Sequence, residues 1–428
     1  MAAESFPKRL TIAQRQMEQL RALLGSLLPG NQFYAAKFGA AGVHKKVSSL
    51  ADYFDRFPLT TKQEIAEDQR LHPPYGTNLT YPLPSYTRCH QTSGTAGAPL
   101  RWLDTAESWN GMLASWEQVL GAAGVRRADR LFFAFSFGPF IGFWLAFEAA
   151  LRQGCLCLPS GGLSSTGRLR LILDHAATVL CCTPTYAIRL GEVAAKEGID
   201  LGVSQVKLVI VAGEPGGSIP ATRACIEGFW PGARVFDHHG MTEVGPVSFQ
   251  CPAQPGVLHV MENAYLAEVL DPATGKAVAA GQTGELILTT LLRTGSPLLR
   301  YRTGDLVRTS LDTVCACGRS ELALAGGILS RTDDMVIVRG VNVYPSAVEE
   351  IMRACGGVAE YQAQTSSAGA LAELRIQVES SAECANEAAL ARKLEEAFVT
   401  AFALRVPVSI VPAGTLPRFE LKAKRWLK

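Results

Sequence analysis

The sequence predicts an α/β protein. A large N-terminal region of several subdomains is expected, with parallel α/β sheets plus a small β subdomain, followed by a smaller α+β C-terminal domain. Three observations predict it. Continuous apolar runs at 131–135, 178–182 and 206–211 suit strands buried on both faces. Helical patterns alternate with such runs between about 80 and 300, as parallel β–α–β units require. Beyond about 330 the pattern restarts as helix, two strands, helix and strand.

The elements follow in order. Residues 12–29 have a helical rhythm, with Leu20, Leu23, Leu24, Leu27 and Leu28 on one side and Pro29-Gly30 as the stop. Residues 131–147 are uncharged and mostly apolar, a length at the lower limit of a membrane span. Ser136, Gly138, Pro139 and Gly142 interrupt them, so a buried strand, a loop and the start of a buried helix are expected. Residues 258–311 read as antiparallel β: 264–270 and 285–290 alternate, with turns at Asp271-Pro272 and Gly281-Gln282. A boundary near 326–334 divides the chain into 1–330 and 331–428. In the second part, Ser346 and Glu349 read as a capping box opening a helix. Runs 360–365 and 373–378 read as strands. Residues 386–403 read as a helix with Leu390, Leu394, Phe398 and Phe402 at fourfold spacing, and 409–411 as a last strand.

Composition narrows the function. Of 428 residues 48% are hydrophobic, which excludes disorder. Lys and Arg number 41 against 39 Asp and Glu, and no run of five basic residues occurs, so a nucleic-acid footprint is not expected. The eleven cysteines are odd in number, and no apolar stretch of a signal peptide follows the first residues. A reducing, cytoplasmic setting is expected, with thiols as core fillers or metal ligands.

Three motifs carry chemistry. Thr92-Ser93-Gly94-Thr95-Ala96-Gly97-Ala98 offers backbone N–H groups and hydroxyls that can curl round an anion, and equally suits an ordinary turn. No Gly-x-x-x-x-Gly-Lys-Ser/Thr sequence supports a P-loop NTPase. Asp237-His238-His239-Gly240-Met241-Thr242-Glu243 sets a ring, a glycine, a hydroxyl and a carboxylate within a few positions. These can stack a base, donate to a phosphate and hold Mg²⁺, or form a polar turn. Tyr301-Arg302-Thr303-Gly304-Asp305 places an Asp where it can accept from two ribose hydroxyls, or it is a simple β-turn.

The order of these motifs resembles the adenylate-forming superfamily of acyl- and aryl-CoA ligases, and most the phenylacetate-CoA ligase family. Arg331 with Asp333, Arg339-Gly340, Leu416-Pro417-Arg418 with Lys422, Phe57-Pro58 with Thr61-Lys62, Thr183-Pro184-Thr185-Tyr186 and Ala212-Gly213-Glu214-Pro215 extend the resemblance over nearly the whole chain. It implies an enzyme that uses ATP and Mg²⁺ to turn a carboxylic acid into an acyl-adenylate, then passes the acyl group to coenzyme A. It implies that Ser93, Gly94, Thr95 and Gly97 cradle phosphates and that Gly213, Glu214 and Pro215 line the adenine pocket, with Asp237 beside the nucleotide. His239 stands at the family's stacking Tyr. Thr242 is to contact the α-phosphate, Glu243 to hold Mg²⁺, and Asp305 and Arg331 to take the ribose. Lys422 is the implied catalytic lysine, with Lys424 as runner-up. Asp333 is the implied hinge of a mobile C-terminal domain, and Gly340 the passage for the pantetheine arm. Ala96 and Ala98 replace the family's Thr and Lys, and Leu421 its Gly.

Cys251, His259, Cys315 and Cys317 offer three thiolates and an imidazole, a structural Zn²⁺ set, or else four unrelated buried side chains. Some members of the resembled family carry a metal at matching positions. The other seven cysteines read as core. Phe135, Phe137 and Phe140 fall where the family places aromatic pocket walls, beside His238, Gly240 and Met241. A benzoate-like, anthranilate-like or arylacetate acid is therefore expected. The expected partners are this acid, ATP and coenzyme A, without nucleic acid or membrane. An acyl carrier protein is the alternative acceptor, and a homodimer an open state of assembly. A non-catalytic nucleotide-binding protein is the reading from another class, supported only by Ala96 and Ala98.

Overall fold

The computed structural model describes residues 6–28, 30–92, 99–332, 334, 336–339, 341–366, 373–419 and 423–427. Four helices lead: α1 (Arg9–Leu27), α2 (Gln32–Ala40), α3 (Leu50–Arg56) and α4 (Lys62–Leu71). In α1 the predicted stripe is buried at Leu20, Leu23, Leu24 and Leu27, while Leu28 is partly buried beyond the helix end. A reciprocal capping box between Thr61 and Glu64 starts α4. This helical layer shares a core with Leu266, Leu291 and Leu299. A hairpin of β1 (Tyr86–Gln91) and β2 (Arg101–Thr105) follows and brackets the glycine-rich motif.

Next comes the central sheet with its helices. In chain order these are α5 (Ala106–Ala122), β3 (Arg130–Phe133), α6 (Trp144–Gln153), β4 (Leu156–Pro159), α7 (Ser165–Asp174), β5 (Val179–Cys182), α8 (Pro184–Lys196), β6 (Leu208–Val211), α9 (Pro220–Phe229) and β7 (Arg234–Met241). Then come β8 (Gly245–Gln250), β9 (Val257–Val260), β10 (Tyr265–Leu270), β11 (Thr283–Thr290), β12 (Tyr301–Thr309) and β13 (Ala323–Arg331). Eleven strands hydrogen-bond in the order β10-β11-β12-β13-β9-β8-β7-β6-β5-β3-β4. The section from β4 to β7 is parallel and the rest antiparallel. Successive side chains of the parallel strands enter opposite cores. Leu131, Phe133, Val179, Cys181, Leu208 and Ile210 meet α5 and α6, and Phe132, Leu180, Cys182, Val209 and Val211 meet α7 to α9. That double burial is why these runs lack polar alternation. The antiparallel stretch at 258–311 is continuous with the parallel one, because the β7–β8 hairpin joins them in one sheet. Residues 131–147 form strand, loop and helix start, and no described helix is long and apolar enough to cross a membrane.

The remaining elements are β14 (Val336–Val338), β15 (Val341–Val343), α10 (Pro345–Cys355), β16 (Val358–Ser366), β17 (Glu373–Ser380), α11 (Glu387–Phe402), β18 (Val408–Val411) and β19 (Trp426–Leu427). They build a second sheet, β18-β17-β16-β19, and a core of their own around Val348, Met352, Tyr361, Ile376, Leu394 and Phe398. The expected capping box at Ser346 does not form. Pro345 occupies the first helical position behind Tyr344, so Ser346 lies inside the helix and its hydroxyl bonds the carbonyl of Leu329 instead. Glu349 turns inward to Arg353, Tyr361 and Arg425. Strand β19 is an element that sequence pattern did not suggest.

Candidate active site

The end of β7 organises the site. Adjacent residues of a strand face opposite ways, and His238 and His239 do so here. His239 Nε2 lies 3.0 Å from Asp305 Oδ2. The β12–β13 register sets Asp305 opposite Arg331, whose Nη1 donates to Asp305 Oδ1 at 3.1 Å. Gly304 makes this approach feasible: its φ is +76°, and a Cβ there would sit 2.7 Å from an Arg331 nitrogen. With Nε2 on the carboxylate, the neutral ring of His239 offers Nδ1 as an acceptor. That atom is buried and has no hydrogen-bond partner among the described residues. An amino or hydroxyl donor of a nucleotide fits such an atom, so the residues present suit the predicted ligand.

The turn after β7 is held from below. Arg293 grips Asp104 through two hydrogen bonds of 2.6 and 2.7 Å, and both side chains are essentially fully buried. Its Nη1 also donates to the carbonyls of Thr242 and Glu243 at 2.7 and 2.8 Å. The Glu243 carboxylate meets Lys62 Nζ, from the first turn of α4, at 2.9 Å. Neither Asp104 nor Arg293 belongs to a readable motif. Lys62 follows Thr61 in a segment that resembles the family, but nothing in its local sequence points to Glu243.

Asp237 serves the loop behind the site. Ser218 Oγ donates to it at 2.5 Å, and burial pushes its carboxyl up from the ordinary range. Gly213, Glu214 and Pro215 lie on that same loop after β6. Glu214 accepts from the Thr185 backbone N–H at 2.9 Å and from the Ala423 backbone N–H at 2.7 Å.

On the other side of β7, His238 Nδ1 donates to the Ser248 carbonyl at 2.7 Å. Burial pulls its pKa down to about 3, so the ring is neutral. Trp116 lies 4.2 Å from it, centroid to centroid, and reaches Phe143 at 6.1 Å. Phe143, Phe137 and Phe140 surround Phe135 edge-on at 5.3–5.5 Å. Phe135 is buried, and Phe137 and Phe140 are half-buried. Gly142 (φ +35°) is obligatory here, because a Cβ would fall 2.0 Å from the Phe135 ring. Gly240 and Met241 end the strand beside His238.

Farther along the sheet, Cys251, His259, Cys315 and Cys317 place their ligand atoms within 4.8 Å of one another. Cys251 Sγ lies 3.6 Å from Cys315 Sγ, and Cys317 Sγ 3.4 Å from His259 Nε2. A tetrahedron with metal–sulfur bonds of ~2.3 Å has edges of about 3.8 Å, so the donor set fits zinc. Cysteines at 155, 181 and 182 are buried as expected, but Cys89 is exposed on the hairpin, contrary to the core reading.

The AMP-binding enzyme family matches residues 91–291, and the AMP-binding enzyme C-terminal domain matches residues 340–428. Phenylacetate-coenzyme A ligase of Thermus thermophilus is 32% identical over 97% of this chain and 96% of its own length. The Pseudomonas putida enzyme of the same name is 30% identical over 96% and 93%. This chain belongs to the phenylacetate-coenzyme A ligase family of adenylate-forming enzymes. It is an AMP-forming acid–CoA ligase, with ATP and coenzyme A as substrates. A crystal structure of 2-hydroxyisobutyryl-CoA ligase in the postadenylation state, in complex with 2-HIB-AMP, superposes with a TM-score of 0.93 at 27% identity, over 99% of this chain and 90% of that one. The same enzyme in complex with 2-HIB-AMP and CoA in the thioesterification state gives 0.74 at 28% identity, over 99% and 91%.

Within the ligase, the structure brings His239, Asp305 and Arg331 together and sets Thr242 and Glu243 on one pinned turn. Ser93, Gly94, Thr95, Gly97, Asp333, Gly340 and Lys422 lie outside the described residues, as do Ala96, Ala98 and Leu421.

Proposed function

We propose that this ligase activates an aromatic carboxylic acid and transfers the acyl group to coenzyme A. The observation that carries the reading is the double use of β7: His238 abuts the aromatic cluster, and His239 binds Asp305. Acid and nucleotide thus meet at one strand end. Edge-on phenylalanines favour a flat ring over an alkyl chain. The names of the two ligases above point to the same class of acid.

In the first half-reaction the acid carboxylate attacks the α-phosphorus and pyrophosphate leaves. Asp305 and Arg331 orient the ribose, His239 lies against the base, and Thr242 donates to the α-phosphate. Magnesium, when bound, supplies positive charge to the phosphate oxygens. Glu243 is the carboxylate to hold it, with Lys62 exchanging its contact. Lys422 carries the ammonium that stabilises the charge developing between carboxylate and phosphate. In the second half-reaction the coenzyme A thiol attacks the acyl carbon and AMP leaves, the pantetheine arm passing Gly340. The C-terminal unit, from about 331, turns about Asp333 between the two. Cys251, His259, Cys315 and Cys317 hold a structural zinc. Unpaired cysteines and balanced charge suit the cytoplasm.

The deciding experiment is ATP–pyrophosphate exchange with a panel of aryl and alkyl acids, followed by mass detection of thioesters. Coenzyme A and a phosphopantetheinylated acyl carrier protein are offered in parallel. Exchange with benzoate, hydroxybenzoate, anthranilate or phenylacetate and a coenzyme A thioester are expected. Exchange with alkyl acids alone, or with none, refutes the reading. Sedimentation at several concentrations separates monomer from dimer.

A further inference from the structure

We propose that Glu214 and Glu350 form a two-point clasp that holds the C-terminal unit on the large sheet for adenylation and releases before thioester formation. Both contacts join residues far apart in sequence, across the 331 boundary. Glu214, on the loop after β6, spends one carboxylate oxygen on the Thr185 N–H and the other on the Ala423 N–H, at 2.9 and 2.7 Å. Glu350, on α10, accepts from the Ala221 N–H in the first turn of α9 at 3.1 Å. The Thr185 and Ala221 amides lie in the first turns of α8 and α9 and have no partner within their own helix, so a carboxylate is a strong complement to them.

Ala423 does not hang loosely. Two residues on, buried Arg425 is tied to Glu360 and Glu349 within the C-terminal unit, and its guanidinium lies 5.3 Å from the Tyr361 ring. Arg425 also reaches Thr185 Oγ1 at 3.4 Å. The tail is therefore part of that unit, and Glu214 grips the unit by it. The grip falls one residue after position 422.

The arrangement belongs to one state. The whole chain matches the postadenylation state of the 2-hydroxyisobutyryl enzyme at a TM-score of 0.93 and its thioesterification state at 0.74. Hydrogen bonds near 3 Å do not span two arrangements that differ this much. The clasp is thus a bias toward the first half-reaction, and Glu214 and Glu350 are positioning residues acting through Ala423 and Ala221.

This inference rests on the assignment of Lys422 above, so its test includes a measurement that needs no turnover. Glu350→Ala is the primary variant, since Glu350 lies on a helix and away from the nucleotide residues. Glu350→Gln, which keeps an acceptor, is the rescue. Ala423→Pro removes the other donor. Single-turnover adenylate formation at saturating ATP is compared with thioester formation from synthetic acyl-adenylate and coenzyme A. Glu350→Ala and Ala423→Pro are expected to slow adenylation roughly tenfold, the loss of one charged hydrogen bond. Thioester formation stays within about twofold, Glu350→Gln recovers most of the rate, and Ala221 amide exchange rises in Glu350→Ala. Equal loss in both half-reactions, or unchanged adenylation in both variants, overturns the clasp. Faster Ala221 exchange in Glu350→Ala beside a wild type that does not adenylate the aromatic acids upholds the clasp and refutes the proposed substrate class instead; unchanged exchange overturns the clasp.

Discussion

Replacing Asp104 by Asn tests the support beneath the turn of Thr242 and Glu243. The substitution keeps the shape and removes the charge. Arg293 then stays ionised, with both side chains excluded from solvent and only the neutral Asn and two carbonyls as acceptors. Breaking one partner of a buried pair costs about 3–5 kcal/mol, because the remaining charge is not rehydrated. At about 2 °C per kcal/mol, the low end for large domains, the melting temperature drops by about 6–10 °C. The Arg293 donor to the carbonyls of Thr242 and Glu243 is also held less firmly, so pyrophosphate exchange falls even well below the melting temperature. Scanning calorimetry and exchange at 20 °C measure the two effects. A melting temperature within 2 °C of wild type, with full exchange, would show that the turn holds itself and refute the reasoning.

Other outcomes follow from the same geometry. His239→Ala removes the ring beside Asp305 and is expected to raise the KM for ATP about tenfold, whereas His239→Tyr, which keeps a ring to stack, holds it near wild type; equal KM values in both variants count against a nucleotide role. Lys422→Ala is expected to abolish adenylate formation while sparing thioester formation from synthetic acyl-adenylate, and normal adenylation would remove Lys422 from its role. Elemental analysis is expected to find one zinc per chain, with Cys251→Ala losing metal and stability together; metal-free native protein of full stability refutes the site. For His238, the folded pKa of about 3 lies below the ordinary value near 6.5. Between these values the unfolded chain binds a proton that the fold refuses, so stability is full above about pH 6.5 and falls as pH drops. The loss is about 2 kcal/mol by pH 5, and a His238→Gln variant with an unchanged pH slope in thermal unfolding would contradict it.

Much of this was readable from local pattern. Apolar runs at 178–182 and 206–211 declare doubly covered strands because each of their two faces must be greasy on its own. The Cys251, His259, Cys315 and Cys317 cluster was readable because cysteine and histidine advertise their chemistry by type. What escaped depends on pairing across distance. Arg293 and Asp104 are 189 positions apart, Lys62 and Glu243 181 apart, and Glu214 and Ala423 209 apart. No periodicity connects such residues, and a charge destined for the interior looks like a surface charge until its partner is found. The misread capping box has a local cause. Its Ser-x-x-Glu spacing is correct, but Pro345 starts the helix one residue earlier, so the serine arrives too late to cap it.

The alternation along β7 has an evolutionary side. On the proposed function, His238 and His239 are neighbours in the chain but serve different molecules, one the acid and the other the nucleotide. A lineage can therefore exchange the side chain at 238 and explore new acids while the ATP machinery inherits no change. Insertion or deletion of one residue upstream is a different matter, since it swaps the two rings and abolishes both subsites at once. Diversification at this strand end is open to point substitution and closed to length change, which offers protein engineers a single codon at which to retune the acid.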